Sequence, residues 1–285
     1  MPELPEVETV RRGLNKLTLA QEIQGGDVLL ERSIAHPLSV NGFLAPLKHV
    51  TITTWQRRGK YLLAQLTKLD KSEAGWLGVH LRMTGQLLWL NQDEPLQKHA
   101  RVRLFFPDGK ELRFVDIRTF GKMWWVPPRE APENIITGLK RLGPEPFSPE
   151  FSTEYLVSKL QNRQISIKTA LLDQALVAGV GNIYADEALF LAGVMPKTPC
   201  GALQTEQIDG LRIAIIQVLQ KGIDSGGTSF SNFLNVLGVN GNYTGLAWVY
   251  GRRGQPCRVC GTPIERLKLG GRSSHFCPSC QPEKA

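Results

Sequence analysis

The sequence has no apolar run approaching the length of a membrane span. It has no internal repeat and no long low-complexity segment, which excludes solenoid and disordered-tract architectures. Its opening, Met-Pro-Glu-Leu-Pro-Glu-Val-Glu, is acidic and lacks the apolar core of a secretory signal. The expectation is a soluble intracellular protein; an organellar form cut from a longer precursor stays open. Cysteine is also scarce. There are five in 285 residues, and four of them fall in the last 29.

Those four form two pairs, Cys257-x2-Cys260 and Cys277-x2-Cys280, separated by sixteen residues. A C-x2-C pair sets two thiolates on one tight turn, and two such knuckles facing each other make a closed S4 site suited to Zn2+. A closed site is structural, so one zinc per chain would hold a fold and perform no reaction. The competing readings are a stray redox pair or a disulfide clip. Cys200 is left without a partner, and unoxidised thiolates fit a reducing compartment.

Charge points to the partner. The chain carries a formal net charge of +8 with a pI near 9.3, which suggests a polyanion. From Ala247 to Ala285 seven Lys/Arg stand against two Glu. A metal-pinned basic hairpin suits the gripping of nucleic acid. The hydrophobic content of 42% supports true cores, and the length suggests two domains.

The first 130 residues read as one helix followed by strands. Val7, Val10, Leu14 and Leu17 mark a helical face. Strand-like runs recur at 49–56, 60–66, 76–90, 101–106, 110–115 and 122–126, and Phe106-Pro107-Asp108-Gly109 is a hairpin turn. Many short strands with turn signals predict a sandwich or barrel. Prolines and glycines break up the following stretch, and a linker is placed at 131–149. Residues 150–225 then read helical, at 151–160, 167–176, 182–192 and 204–223, within a domain placed at 150–246. Gly179-Val180-Gly181-Asn182 predicts a very short turn between the two middle helices, as in a DNA-binding helix-turn-helix. The glycine- and asparagine-rich stretch at 225–250 is either a mobile lid or a surface connection. Residues 247–285 form the zinc finger.

The amino terminus could carry chemistry. Removal of Met1 would expose the secondary amine of Pro2, with a pKa near ~8. Such an amine attacks carbonyl-type carbon and forms a Schiff base, and Glu3 beside it could move protons. By residue type alone, Pro2 equally serves only to start a helix.

A resemblance sharpens this. "PELPEVETVRRGL" at 2–14, "QRRGKYLL" at 56–63, "HLRMTGQL" at 80–87, "DIRTFG" at 116–121, "LGPEPF" at 142–147, "GVGNIYADEALF" at 179–190 and "VYGRRGQPCRVCGTPI" at 249–264 together resemble the formamidopyrimidine-DNA glycosylase family. The resemblance implies an α+β multidomain fold: an N-terminal helix plus β-sandwich, then a helix–two-turn–helix domain, at 150–246 with its lesion-capping loop, and a zinc-ribbon finger. It implies base-excision repair on double-stranded damaged DNA, by a monomer. The enzyme would be a glycosylase and abasic-site lyase that releases oxidised purines and then cuts the strand by two eliminations.

By the same resemblance, Pro2 is the nucleophile and Glu3 the acid/base residue, with Glu6 a second acid nearby. Lys60 contacts DNA and assists catalysis. Arg272 is a phosphate clamp at the finger. Met83, Arg118 and Phe120 fill the gap left by a flipped base. His99, Arg118 and Arg163 match DNA-binding positions, and Lys168 and Asn182 match phosphate contacts. Without the resemblance, Lys60 reads as a solvated charge, His99 as structural or solvated, and Met83 and Phe120 as core.

Two departures stand out. Asp116-Ile117-Arg118 replaces the family's frequent Asp-Pro-Arg, and the stretch around Phe230–Val239 is unusually apolar for a lesion-capping loop. Two other readings remain: an endonuclease VIII-like enzyme for oxidised pyrimidines, which typically opens "PEGPE" where this chain has Leu4, and a non-catalytic zinc-dependent binder of damaged DNA.

Overall fold

The computed structural model describes residues 1–228 and 233–283. Phe230 and Lys284, which the sequence reading used, lie outside the described residues. The chain divides into two compact units, one of Met1–Lys140 with Gly226–Gly241, the other of Arg141–Ser225 with Asn242–Ala285.

The first unit begins with α1 (Leu4–Leu17), whose Val7, Val10 and Leu14 are wholly buried. Burying each such side chain contributes ~1.5–3 kcal/mol. Glu3 and Glu6 cap the helix reciprocally, and the Glu3 N–H donates to Glu6 Oε2 at 2.8 Å. Its other end is tied to the sandwich by Asn15, which accepts from Trp55 N at 2.9 Å and donates to Trp55 O at 3.0 Å.

The strands are β1 (Glu22–Ile23), β2 (Gly25–Val28), β3 (Ile34–His36), β4 (Val50–Arg58), β5 (Tyr61–Thr67), β6 (Glu73–His80), β7 (Gly85–Asn91), β8 (Ala100–Phe106), β9 (Lys110–Asp116) and β10 (Lys122–Val126). The short helix α2 (Val40–Leu44) lies between β3 and β4. One sheet runs β1-β4-β5-β6-β10-β3, the other β2-β8-β9-β7. Every pairing is antiparallel except β10 with β3. Ile52, Leu62 and Val79 of the first sheet meet Leu87, Val102 and Phe114 of the second in a single core. β8 alternates buried and half-buried residues, as a strand with one covered face must. Asp108 and Gly109 both take positive φ, the geometry a tight β8–β9 hairpin demands.

The expected run 76–90 is two strands, β6 and β7, in different sheets. Residues 81–84 turn the chain between them, with Arg82 at φ 54°. Continuous apolar sequence hid the break, because both strands are buried on either side of it. The residues assigned to a linker carry α3 (Pro132–Ile135), and Ile136 and Leu139 beyond it are buried.

Residues 226–241 belong to the sandwich unit and not with the helices. Phe233 and Val236 enter its core, Trp89 N–H donates to Val236 O at 2.8 Å, and Val236 sits against Gly13 of α1.

The second unit holds α4 (Thr153–Leu160), α5 (Ile167–Leu171), α6 (Asn182–Leu191) and α7 (Thr205–Asp224), followed by a hairpin of β11 (Glu265–Leu269) and β12 (Arg272–Phe276). The helix expected over 167–176 stops at Leu171, so the connection to α6 is longer than predicted. It contains two turns. Asp173 Oδ1 accepts from Ala175 N at 2.9 Å, and Gln174 then accepts from Gly179 N at 2.9 Å and donates to Val180 O at 2.8 Å. Side chains that bond their own backbone compete with helix, which explains the early stop.

Candidate active site and DNA interface

In the first unit, the capping box draws both carboxylates to the chain start. Pro2, Glu3 and Glu6 are buried, and Lys60 is buried in the β4–β5 turn beside Gly59 at φ 54°. Burial lowers the pKa of the Met1 amino group; Glu3 and Glu6 oppose that shift, and Lys60 and Arg118 add to it. Two acids and two cations thus converge on the amino terminus. Glu6 also accepts the Thr228 N–H at 2.8 Å, so its two oxygens join α1 to the 226–241 segment.

His80, which the sequence reading did not single out, packs edge-on against Tyr61 with centroids 4.4 Å apart. Its Nδ1 accepts the Arg82 N–H at 3.0 Å. Burial, helped by Arg82 and Lys60, pushes its pKa down to about 3, so the ring is neutral at pH 7.

Arg118 and Phe120 project from the loop after β9. Both are exposed, Phe120 at 51%, and the Arg118 guanidinium lies 4.9 Å from the Phe120 ring centre. Phe120 is therefore no core residue. Half-buried Met83 lies in the 81–84 turn. His99 Nδ1 accepts from Arg101 Nη2 at 3.0 Å.

In the second unit, Arg163 is half-buried and pairs with Asp173 at 3.3 Å. Asn182 opens α6, with its Nδ2 3.5 Å from Tyr250 Oη and its buried Oδ1 without a hydrogen-bond partner. Arg272 is exposed at the first residue of β12.

Lys168 corrects the sequence reading. It is wholly buried, and its ammonium pairs with Asp186 and donates to Asn182 O and Ser273 O, each at 3.3 Å. A charge so buried and so bonded is an internal tie, not a phosphate contact. Asp186 also accepts from His275 N at 2.9 Å. Its neighbour Glu187 accepts the N–H groups of Trp248, Val249 and Tyr250 at 2.7–2.9 Å. Burial pushes the Glu187 carboxyl up, and these three N–H groups pull it down. Adjacent carboxylates on α6 thus hold the entry and exit of the ribbon. Sequence spacing gave no sign of them, because each partner is more than sixty residues away or on another element.

The Sγ atoms of Cys257, Cys260, Cys277 and Cys280 lie within 4.8 Å of one another. Neighbouring pairs are 3.4–3.9 Å apart. A tetrahedron with Zn–S arms of ~2.3 Å has edges of ~3.8 Å, so the four thiolates fit one structural zinc. Val259 N and Cys280 N each approach a cysteine Sγ at 3.4 Å, as N–H donors to thiolates do. Cys200 is buried elsewhere.

A zinc-pinned hairpin footed on a helix–two-turn–helix defines a class of DNA-binding proteins, and this chain falls within it. Three family models match: the formamidopyrimidine-DNA glycosylase N-terminal domain over residues 1–123, its H2TH domain over 142–233, and a zinc finger found in FPG and IleRS over 254–282. A formamidopyrimidine-DNA glycosylase of Nostoc punctiforme is 68% identical over 99% of this chain and 96% of its own length. That of Acaryochloris marina is 65% identical over 99% and 100%. The Lactococcus lactis protein bound to DNA with an abasic site superposes with a TM-score of 0.89 at 35% identity, covering 99% of this chain and 100% of its own. The Thermus thermophilus protein gives 0.86 at 38% identity over 100% of both. The chain belongs to the formamidopyrimidine-DNA glycosylase family.

Proposed function

We propose that the protein is a base-excision repair enzyme that releases oxidised bases from double-stranded DNA and then cleaves the abasic strand, with Pro2 as nucleophile. The observation that carries this reading is the convergence of Glu3, Glu6, Lys60 and Arg118 on a half-buried amino terminus. Once Met1 is removed, the nitrogen of Pro2 is a secondary amine. It attacks C1′ of the damaged nucleotide, and the base leaves as the glycosidic bond breaks. The C1′–O4′ bond then breaks as O4′ takes a proton, and the iminium so formed acidifies C2′–H, whose loss expels the 3′ phosphate; a second elimination releases the 5′ phosphate. Glu3 moves protons at the ring oxygen and C2′. Lys60 and exposed Arg272 serve the phosphates, and a guanidinium stays protonated at neutral pH, so Arg272 acts as a clamp. Arg163, His99 and Asn182 serve DNA binding. Met83, Arg118 and Phe120 fill the space left by the extruded base.

The relatives favour oxidised purines. Solved Lactococcus lactis complexes hold Fapy-dG DNA and, in one case, DNA with an oxidised pyrimidine. The second complex keeps an oxidised-pyrimidine activity in view as a minor reading, within the same chemistry. The site of action is wherever genomic DNA lies, the nucleoid in a bacterium.

Borohydride trapping on abasic DNA, paired with intact mass, tests the nucleophile. A covalent adduct is expected only for protein lacking Met1. Trapping or full activity with Met1 retained would remove Pro2 from the mechanism.

A further inference from the structure

One buried carboxylate gathers the segments that carry the gap-filling residues. Asp116 ends β9 and is 1% exposed. Its Oδ1 accepts from Thr84 Oγ1 at 2.5 Å and from Arg118 N at 3.2 Å; its Oδ2 accepts from Gly121 N at 2.7 Å. Thr84 Oγ1 itself lies 3.0 Å from Arg118 N. The main chain of Asp116 is engaged as well: its N–H donates to His99 O at 2.9 Å, and its carbonyl accepts from Arg101 Nε at 2.8 Å. The turn bearing Met83, the loop bearing Arg118 and Phe120, and the stretch bearing His99 all meet at this residue.

The loop has little apolar support of its own. Ile117, Arg118 and Phe120 are exposed, so no apolar burial holds them. Thr119 stands at φ 58°, a conformation a β-branched residue does not adopt unaided. Ile117 supplies no ring to restrict φ, as a proline would. At Gly121 an added Cβ would lie 2.5 Å from Phe114 Cζ and 3.0 Å from Asp116 Oδ2, so only glycine lets the loop return this close.

We infer that Asp116 is the positioning residue of base extrusion: it locks Met83, Arg118 and Phe120 into one rigid wedge before DNA arrives. The inference rests on the gap-filling role proposed above for those three residues. Its signature is selective. Extrusion from a paired duplex needs the wedge; cleavage at a preformed abasic site does not.

The test compares single-turnover release of 8-oxoguanine from duplex with cleavage of a preformed abasic site. Asp116→Asn puts N–H donors where the chain already donates. It is expected to slow duplex excision by about tenfold or more, the weight of a lost bond to a charged group, and to leave abasic cleavage within about twofold. Thr84→Val, which removes only the hydroxyl, should slow duplex excision by about threefold, with the same selectivity. Asp116→Asn combined with Phe120→Ala should be slowed by less than the product of the two single effects, because both act on one wedge. If Phe120→Ala is selective and neither Asp116→Asn nor Thr84→Val is, the positioning role is refuted and the wedge stands. Equal slowing of both reactions by Asp116→Asn and Thr84→Val refutes it too. If Phe120→Ala itself shows no selectivity, the wedge reading fails and takes this inference with it.

Discussion

Arg118 and Arg272 are both exposed arginines on short segments with little apolar support, yet they are held by different means. The Arg118 loop hangs from a carboxylate that is part of the sandwich, through bonds from Thr84, Arg118 and Gly121. The Arg272 hairpin has a small apolar cluster around Phe190, Val249 and Ile264, and its order depends on four thiolates and a metal. Asp186 and Glu187 then moor it to α6. One arginine is held by bonds within the sandwich unit; the other, on the linkage of metal binding to folding, is expected to be held only when zinc is bound.

The largest effect should come from breaking that condition. Cys260→Ser is expected to abolish stoichiometric zinc, with ~10–16 kcal/mol of metal-linked folding energy at stake, and to disorder the ribbon. Cys200→Ser should keep one zinc per chain, because Cys200 lies outside the four-sulfur cluster. Metal content by atomic absorption, beside DNA affinity, checks both. Full zinc in Cys260→Ser would show that the ribbon is not held as described.

The mooring comes next. Lys168→Ala leaves Asp186 buried and without its ammonium partner, and should cost ~3–5 kcal/mol of stability; Lys168→Met should cost less. DNA binding separates this tie from a phosphate contact. Arg163→Ala should reduce the salt slope of binding by about 0.9, whereas Lys168→Met should leave the slope unchanged. A reduced slope for Lys168→Met would restore the phosphate role that burial argues against.

The smallest effect probes the sandwich side. His80 ends β6, just before the turn that bears Met83, and burial holds its pKa at about 3 against an ordinary 6.5. The unfolded chain takes up a proton below pH 6.5 that the folded chain refuses. Stability from this residue is therefore whole above pH 6.5 and drains as pH falls toward 3, by at most ~1.4 kcal/mol per pH unit. Urea midpoints from pH 7 to 4 should fall less steeply in His80→Gln. Parallel slopes would mean that the ring is protonated in the folded state.

What the sequence disclosed followed local rules. Cysteine spacing gave the metal site, the face of α1 gave the helix, and Asp108-Gly109 gave the hairpin. What it concealed was nonlocal. Nothing near Lys168 reveals Asp186 eighteen residues on, and nothing near position 116 reveals Thr84. The break at 81–84 was hidden because the sequence stays largely apolar through strands with buried residues on both sides. The glycine- and asparagine-rich stretch at 225–250 reads as a lid or a surface connection, while Phe233 and Val236 tie its first half into a core whose other residues lie between Val7 and Met123.

That last attachment leaves a mark on protein engineering. Gly13 stands inside α1, where glycine is ~1 kcal/mol poorer than alanine, and replacing it looks like an easy gain in thermostability. Yet a Cβ there would lie 2.4 Å from Val236 Cγ2. The vacancy on the helix is a socket, and the residue that fills it belongs to the same segment whose Thr228 hangs on Glu6. A design rule that scores α1 by its own helical propensity would harden the scaffold and dislodge the strap across it.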